Sequence, residues 1–246
     1  MTEASKPIES LARGLRLLEV LSRATGPMSN GQIARATELP PSTVSRLTDS
    51  LVQLGYLRVE SASGAYRLTP KNLRLGYPIL ANLPLGGRVD RALGELQNTT
   101  GLTSAIAIRD DLHMAFVSVA RSRKPWAVPL AVGGRLPLAL SAAGIAYLQS
   151  MPDPERGRLV NHVRRDLKSR RHPVSVFDEL WSQDSDEAVV SLGNWNTAYG
   201  GIARAFVSAG ELYVMTVVAR TEELQLSENT KAVTAALDEA VTAVTD

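Results

Sequence analysis

The sequence predicts an α+β protein made of a small, basic, mainly helical unit and a larger unit built around an antiparallel sheet. First, 246 residues are enough for two ordinary domains. Second, residues 1–82 carry ten Lys and Arg against six Asp and Glu, a net charge of +4. Residues 83–246 carry seventeen against nineteen, a net charge of −2. Third, the apolar spacing changes from helical steps to strand-like alternation near residue 103.

The chain opens with two predicted helices. Residues 8–23 place apolar side chains at helical spacing, and the Gly-Pro pair that starts at Gly26 ends the helix. Ser29 is a suitable N-cap for the second helix, because Gln32 follows at the capping-box distance.

A third predicted helix and a hairpin complete the small unit. Residues 42–54 follow a Pro-Pro pair and carry one apolar stripe, and Gly55 is a natural stop. Residues 56–69 predict two short strands around a Ser-Ala-Ser-Gly turn. This order of elements predicts a winged helix-turn-helix over residues 1–69.

The first turn of the third helix carries short polar side chains and then an arginine. A helix in the major groove brings its N-terminal residues to base edges, and short Ser and Thr side chains permit close approach. The arginine can reach a guanine edge or a phosphate, and one arginine on each hairpin strand can reach the DNA backbone or minor groove. The predicted DNA-binding residues are Ser42, Thr43, Ser45, Arg46, Arg58 and Arg67.

Two other interpretations remain open for this segment. Ser42 could simply cap a surface helix, with Thr43 and Ser45 solvated and Arg46 lying along the surface. A winged domain can also bind another protein. The alternative function is therefore a small-molecule-binding module whose winged domain mediates a protein–protein interaction.

The remainder of the chain predicts a linker helix and a mixed second domain. Residues 70–83 form the linker, and 84–246 the domain. Its predicted helices are 84–100, a short one capped by Ser141, 153–170, 176–185 and one from about Ser227. Its predicted strands are a hairpin over 103–120, a strand at 126–132, and three late strands in EAVVSLGN, GGIARAFVS and LYVMTVVAR.

The motifs STVSRL, LGYL and GAYRLT, within a segment that starts at RGLRLLEVLS, closely resemble the N-terminal domain of the IclR family of bacterial transcriptional regulators. The resemblance continues more weakly across nearly the whole chain. It implies a GAF-like α/β C-terminal domain that binds a small carboxylate or an aromatic acid. It also implies a homodimer or a dimer of dimers whose winged domains pair on double-stranded operator DNA.

The resemblance also implies an effector site. Regulators of this family place the pocket between the sheet and a short helix that follows a G-x-R-x-P-L motif, whose last five positions here are Gly134 to Leu138. A helix N-terminus with small residues presents polarised N–H groups to a carboxylate, although the same residues could simply cap and pack a helix. The effector-binding residues so implied are Trp126, Ser141, Ala142, Ala143, Gly144, Asn194, Asn196, Gly201, Thr216 and Val217.

Several of these positions depart from the family pattern. Asn194 and Asn196 stand near the place of acidic residues in the family. Val217 stands in place of a small hydroxyl side chain, so Thr216 is the small hydroxyl that remains in that strand. These amides and the more apolar wall favour a larger, partly apolar effector, such as an aromatic acid. Trp126 can add an apolar wall, or it can belong to a core or an interface.

Composition and motifs argue against other classes of function. The chain has no cysteine, and His113, His162 and His172 lack metal-ligand spacing, so no metal, cofactor or catalytic site is expected. The basic run 164–172 has acidic residues on both sides and is expected to be a solvated helix face. Because there is no long apolar run or signal sequence, we expect no membrane partner and a cytoplasmic protein.

Overall fold

A computed structural model describes residues 7–245, apart from the side chain of Ser227. Two compact units divide between Asn82 and Leu83. The fold is α+β, as the sequence predicts. The first unit has one hydrophobic core and the second unit has two.

The first unit is a winged helix-turn-helix. Its helices are α1 (Glu9–Arg23), α2 (Asn30–Thr37), α3 (Pro41–Gln53) and α4 (Leu73–Ala81), and its wing strands are β1 (Leu57–Val59) and β2 (Tyr66–Leu68). The predicted capping box of α2 is present: Ser29 Oγ accepts from the Gln32 N–H, and the Ser29 N–H donates to Gln32 Oε1 at 2.8 Å. α3 begins with Pro41 at its first position, where a missing N–H costs nothing.

The second unit contains six helices and six strands among the described residues. The helices are α5 (Gly86–Thr100), α6 (Ala142–Ser150), α7 (Glu155–Ser169), α8 (Val174–Trp181), α9 (Thr221–Leu224) and α10 (Ser227–Thr242). The strands are β3 (Thr103–Asp110), β4 (His113–Ala120), β5 (Arg135–Pro137), β6 (Val189–Asn196), β7 (Tyr199–Ser208) and β8 (Glu211–Arg220). They form one antiparallel sheet in the order β5-β4-β3-β8-β7-β6.

Side chains from the two faces of this sheet enter two different cores. Ala105, Ala203 and Val214 belong to the core that includes α6, α7 and α8. Ile106 and Ile202, each one residue away, belong to the core that includes α5 and α10. Successive strand residues point to opposite faces, so the face of any sheet residue follows from its position.

The predicted strand at 126–132 is wrong. This segment is a loop, and the short edge strand is β5, which pairs with the start of β4. Pro129 has no N–H to donate to a ladder, which disfavours a paired strand. Val128 and Leu130 are nevertheless buried in the α6 core, so the alternating apolar residues cover the sheet without joining it.

Within residues 7–245, the structure contains no helix long and apolar enough to cross a membrane.

Candidate DNA-binding face and effector site

The third helix has one face in the core and one face in solvent. Val44 and Thr48 are completely buried. Ser42 and Arg46 are exposed, whereas Thr43 is half-buried. Ser45, also half-buried, occupies the same exposed side of the first turns. The predicted contact residues on α3 are therefore not used to build the core.

A groove runs between these residues and the first turns of α1. It has a volume of about 500 Å³ and is lined on the α3 side by Ser42, Thr43, Arg46 and Ser50, and on the α1 side by Glu9, Ser10 and Arg13. The α1 side was not predicted; it includes Arg13, which pairs with Glu9 one turn earlier. The spacing of this pair was visible in the sequence, but nothing local indicated that α1 lies beside α3.

The wing places its two predicted arginines directly opposite each other. Arg58 on β1 is the register partner of Arg67 on β2, and both are exposed. Glu60 Oε1 lies 3.4 Å from Arg58 Nη2 and 3.1 Å from Arg67 Nε. Both arginines of the wing therefore share the Glu60 carboxylate, a link that was not predicted.

In the second unit, Ser141 caps α6 and joins it to the preceding segment. Ser141 Oγ accepts from the Gly144 N–H at 3.1 Å and donates to the Pro137 carbonyl at 2.7 Å. The N–H groups of Ala142 and Ala143 occupy the first helical turn, where no intrahelical acceptor exists. These two groups are the donors that the helix N-terminus presents.

Gly144 does not provide a third donor, which corrects the predicted set. Its N–H is already used by Ser141 Oγ. A Cβ built on Gly144 would lie 2.0 Å from the Leu138 carbonyl oxygen. Gly144, which is buried, is therefore required for the close approach of α6 to the backbone before it.

A β-bulge lets Asn194 bond to Ser191, which in turn bonds to the segment just before α6. Ser191 and Asn194 are three residues apart and would face opposite sides of a regular strand. The pairing of β6 with β7 is interrupted between Leu192 and Asn196, and Gly193 has a φ of +74°. Asn194 Nδ2 consequently donates to Ser191 Oγ at 3.2 Å, and Ser191 Oγ donates to the Leu140 carbonyl at 2.8 Å.

Gly201 and Thr216 lie on the α6 face of the sheet, but Val217 does not. Thr216 alternates with Val214 and Val218, which belong to the α6 core, and its hydroxyl donates to the Ile202 carbonyl at 3.1 Å. A Cβ on Gly201 would lie 3.6 Å from Thr216 Oγ1. Val217 packs in the opposite core, with α5 and α10. The prediction for Val217 is wrong because a one-residue step changes the face.

Asn196 and Trp126 also lie outside the group around α6. Asn196 is exposed, and its Oδ1 accepts from the Ala198 N–H at 2.9 Å within the β6–β7 turn. Trp126 is 50% exposed, and its indole N–H donates to Glu223 Oε1 at 3.4 Å. Trp195, which stacks on Tyr199 with centroids 6.1 Å apart, packs against the α6 core instead.

Burial raises the pKa of Glu223, but its hydrogen bonds and the nearby positive charge together lower the pKa by more. Lys124 Nζ donates to Glu223 Oε1 at 2.7 Å, in addition to the Trp126 indole. These donors, with the charge of Lys124 and the Arg220 N–H, hold the pKa of Glu223 below its ordinary value. Trp126 is thus part of a structural ionic cluster.

A winged helix-turn-helix with a polar, outward-facing third helix, in one chain with a sheet domain that carries a capped helix, defines a DNA-binding regulator. Residues 10–61 match the model of the IclR helix-turn-helix domain. The chain is 33% identical over 226 residues to the HTH-type transcriptional regulator TsaQ1/TsaQ2 of Comamonas testosteroni, which covers 89% of this chain and 81% of that protein. The protein belongs to the IclR family. It is a transcriptional regulator and not an enzyme.

Solved structures share the architecture. An IclR family transcriptional regulator from Brucella abortus has a TM-score of 0.75 at 29% identity, over 99% of this chain and 94% of that one. An IclR homolog from Microbacterium hydrocarbonoxydans, complexed with 4-hydroxybenzoate, has a TM-score of 0.68 at 20% identity, over 96% of this chain and 99% of that one. At 20% identity, the similarity to the second structure establishes a shared fold and nothing more.

Proposed function

We propose that this regulator binds operator DNA through residues 1–69, and that a small organic acid bound in residues 84–246 modulates that binding. Residues 70–83 act as the linker. The observation that carries the DNA-binding part is the division of α3 into a buried side, with Val44 and Thr48, and an exposed polar side. Because the protein acts on the chromosome of a bacterial cell, we place it in the cytoplasm.

In this proposal the exposed side of α3 enters the major groove. Ser42, Thr43 and Ser45 approach bases or phosphates closely, and Arg46 donates to a guanine edge. The groove between α3 and α1 adds Arg13, which suits a backbone phosphate beside the recognition helix. Arg58 and Arg67 contact the flanking backbone or minor groove through the wing.

The proposed effector site lies at the N-terminus of α6. Its anchors are the N–H groups of Ala142 and Ala143, beside the hydrogen-bonded pair Asn194 and Ser191. Gly201 and Thr216 form the sheet side. A carboxylate suits the helix N-terminus, because the N–H groups there carry partial positive charge.

An aromatic acid fits this site better than a two-carbon acid. Asn194 provides an amide in place of a charge, and the stacked rings of Trp195 and Tyr199 pack against the same core. The 4-hydroxybenzoate bound by the Microbacterium hydrocarbonoxydans homolog is an acid of this class. It supports the class of effector and leaves the individual molecule to experiment.

We further propose that the regulator works as a homodimer or a dimer of dimers. Ile8, which precedes α1, and Leu11 and Leu15 within it recur at helical spacing and are all more than half exposed. α4 exposes a second apolar set, Leu73, Leu75, Tyr77, Ile79 and Leu80. Apolar surfaces of this kind are typical of association sites, and paired winged domains match paired half-sites on DNA.

Arg46→Ala tests the DNA contact. If Arg46 donates to a base edge, the variant binds operator DNA about 1–3 kcal/mol more weakly and with relaxed preference at one base position. Arg46→Lys is the matched control, because lysine keeps the charge but loses the bidentate donor geometry. Retained affinity and retained sequence preference in Arg46→Ala would remove Arg46 from the recognition surface.

Asn194→Leu tests the effector site. An effector regulates only if it binds one arrangement of the protein better than another. The variant is expected to lose its response to aromatic acids while its ligand-free DNA affinity stays within about twofold of the parent, a difference of about 0.4 kcal/mol. Equal loss of both properties would make Asn194 a structural residue.

A further inference from the structure

A second cleft lies in the C-terminal unit, and none of the predicted effector-binding residues lines it. It forms between the start of β4, residues 137–140 and the C-terminal half of α7. Its interior measures about 80 Å³, which is smaller than the range of about 300–1,000 Å³ for drug-sized ligands and therefore suits only a compact ligand. We call it the α7 cleft.

One wall of the α7 cleft carries a histidine whose tautomer is fixed by its neighbour. Arg135 Nη2 lies 2.9 Å from His113 Nδ1. A guanidinium can only donate, so Nδ1 accepts, and the proton of the neutral imidazole is on Nε2. Arg135 is itself held by Asp110 at 3.2 Å. His113 therefore offers the cleft an N–H donor.

The neutral form of His113 is also the favoured one. Burial, and then the positive charges of Arg135 and Arg170, lower the pKa of His113, although Asp110 and Asp111 act in the opposite direction. The imidazole stays uncharged at neutral pH, because its ordinary pKa is already near 6.5. The charge of Arg170 acts on His113 although the two residues are far apart in sequence.

The facing wall provides a cation and a second imidazole. Arg170 Nε donates to Asp166 Oδ1 at 2.9 Å, which leaves the two terminal amino groups of the guanidinium for another acceptor. Arg171 has a φ of +58°, and the chain turns so that the His172 N–H donates to the Leu167 carbonyl at 2.9 Å. This turn brings His172 to the cleft.

The rest of the lining is apolar. Leu112, Leu140, Val163 and Leu167 lie between the two polar walls. Asp166 is the acidic group of the lining, and it is already paired with Arg170. The cleft therefore combines a hydrocarbon surface with two donors for one anionic group.

We propose that the α7 cleft is a second ligand site, which binds a monocarboxylate with a compact apolar body. The carboxylate accepts from His113 Nε2–H and from the Arg170 guanidinium, and the apolar body packs between Leu140 and Val163. Bidentate or paired contacts to a carboxylate are the geometry that guanidinium groups favour. The proposal does not depend on the effector site at α6.

The histidines make this proposal directly testable in the full-length protein. The chain has three, and two of them, His113 and His172, line the cleft, whereas His162 is exposed elsewhere on α7. With ¹⁵N-labelled histidine, added sodium benzoate is expected to shift the imidazole signals of His113 and His172 in a saturable way. The His162 signal stays in place and serves as the internal control.

Two matched variants and one matched ligand complete the test. Arg170→Gln is expected to raise the apparent Kd for benzoate about tenfold or more, the value of one charge-assisted hydrogen bond. Arg165→Gln, a neighbouring arginine of α7 outside the cleft, leaves it unchanged. Benzylamine, which carries a cation instead of the carboxylate, leaves the two signals in place.

Several results would overturn the proposal. They are unmoved His113 and His172 signals at millimolar benzoate, equal shifts with benzylamine, or an Arg170→Gln variant that binds benzoate as the parent does. Shifts that persist in Arg170→Gln but vanish in Asn194→Leu would show that benzoate acts from the α6 site instead. Shifts that persist in Asn194→Leu support the α7 cleft even if the proposed effector role of Asn194 fails.

Discussion

Thr48 Oγ1 donates to Asn30 Oδ1 at 3.2 Å and thereby ties α3 to the first residue of α2. Thr48 is completely buried, and its hydroxyl also lies 3.0 Å from the Val44 carbonyl of its own helix. Asn30 continues the connection, because its Nδ2 donates to the Tyr66 hydroxyl of the wing at 3.4 Å. One short polar chain therefore links both helices of the helix-turn-helix to the hairpin.

Thr48→Val is expected to destabilise the DNA-binding unit by about 1 kcal/mol, because the Asn30 amide oxygen loses its buried donor. Valine keeps the shape of the side chain, so packing changes little. Urea unfolding measures the difference. The control is Thr37→Val, also a buried threonine, whose hydroxyl bonds only to the Ile33 carbonyl of its own helix. Equal losses in both variants would mean that the link between α2 and α3 contributes nothing.

Glu60→Gln is expected to strengthen DNA binding. Arg58 and Arg67 lie opposite each other on the two strands of the wing, and both form ion pairs with Glu60. Removing that charge frees two arginines for phosphates, so affinity rises and the plot of log affinity against log salt steepens by about 0.9 for each added contact. The measurement is a salt titration of affinity for a non-specific duplex.

Glu19→Gln is the control for this change, because it removes an exposed acidic charge from α1 and leaves the wing untouched. If both variants gain equally, the effect is one of net charge alone. Weaker binding by Glu60→Gln would instead mean that the carboxylate holds the arginines in their DNA-binding positions.

The DNA-binding unit was largely predictable because its information is local. The capping pair of Ser29 and Gln32, the Pro-Pro entry to α3 and the hairpin turn each act within a few residues. The apolar stripe predicted over residues 42–54 is not buried along its whole length, since its last residue, Leu54, is 59% exposed. Apolar residues at helical spacing predict which face of α3 is buried. They do not show that the C-terminal end of α3 extends past the edge of the small core.

The C-terminal sites were less predictable because long-range geometry determines them. The bulge at Gly193 reverses the face of Asn194, and no pattern in SLGNWN reveals it. The same applies to the α7 cleft, where His113 and His172 are brought together by the packing of α7 on the sheet edge. Val217 is different, because the resemblance placed it with Thr216 although consecutive residues of a strand face opposite sides of the sheet.

Gly144→Ala is expected to destabilise the C-terminal unit by several kcal/mol, or to prevent its folding. The added Cβ would lie 2.0 Å from the Leu138 oxygen and 2.5 Å from its carbonyl carbon, and the backbone there has no room to yield. Gly157→Ala is the matched control, because Gly157 is a helical glycine with nothing within 4 Å of an added Cβ. That control is expected to be neutral or stabilising by up to about 1 kcal/mol. Thermal unfolding of the two variants measures the contrast, and similar melting temperatures would contradict the tight packing of α6.

Glu223→Gln gives a pH-dependent prediction. The pKa of Glu223 is lowered in the folded protein, so its ionised form stabilises the fold. This contribution is fully present above the unfolded pKa of about 4.5 and is lost as the pH falls through the lower folded value. Glu223→Gln is therefore expected to melt at a lower temperature than the parent at pH 7, with the gap closing progressively below pH ~4. Melting curves between pH 3 and pH 8 measure the difference in melting temperature.

Glu222→Gln, which changes the exposed neighbour, is the control and is expected to show no such closing gap. A gap for Glu223→Gln that is constant over the whole range would mean that its charge does not stabilise the cluster with Lys124 and Trp126.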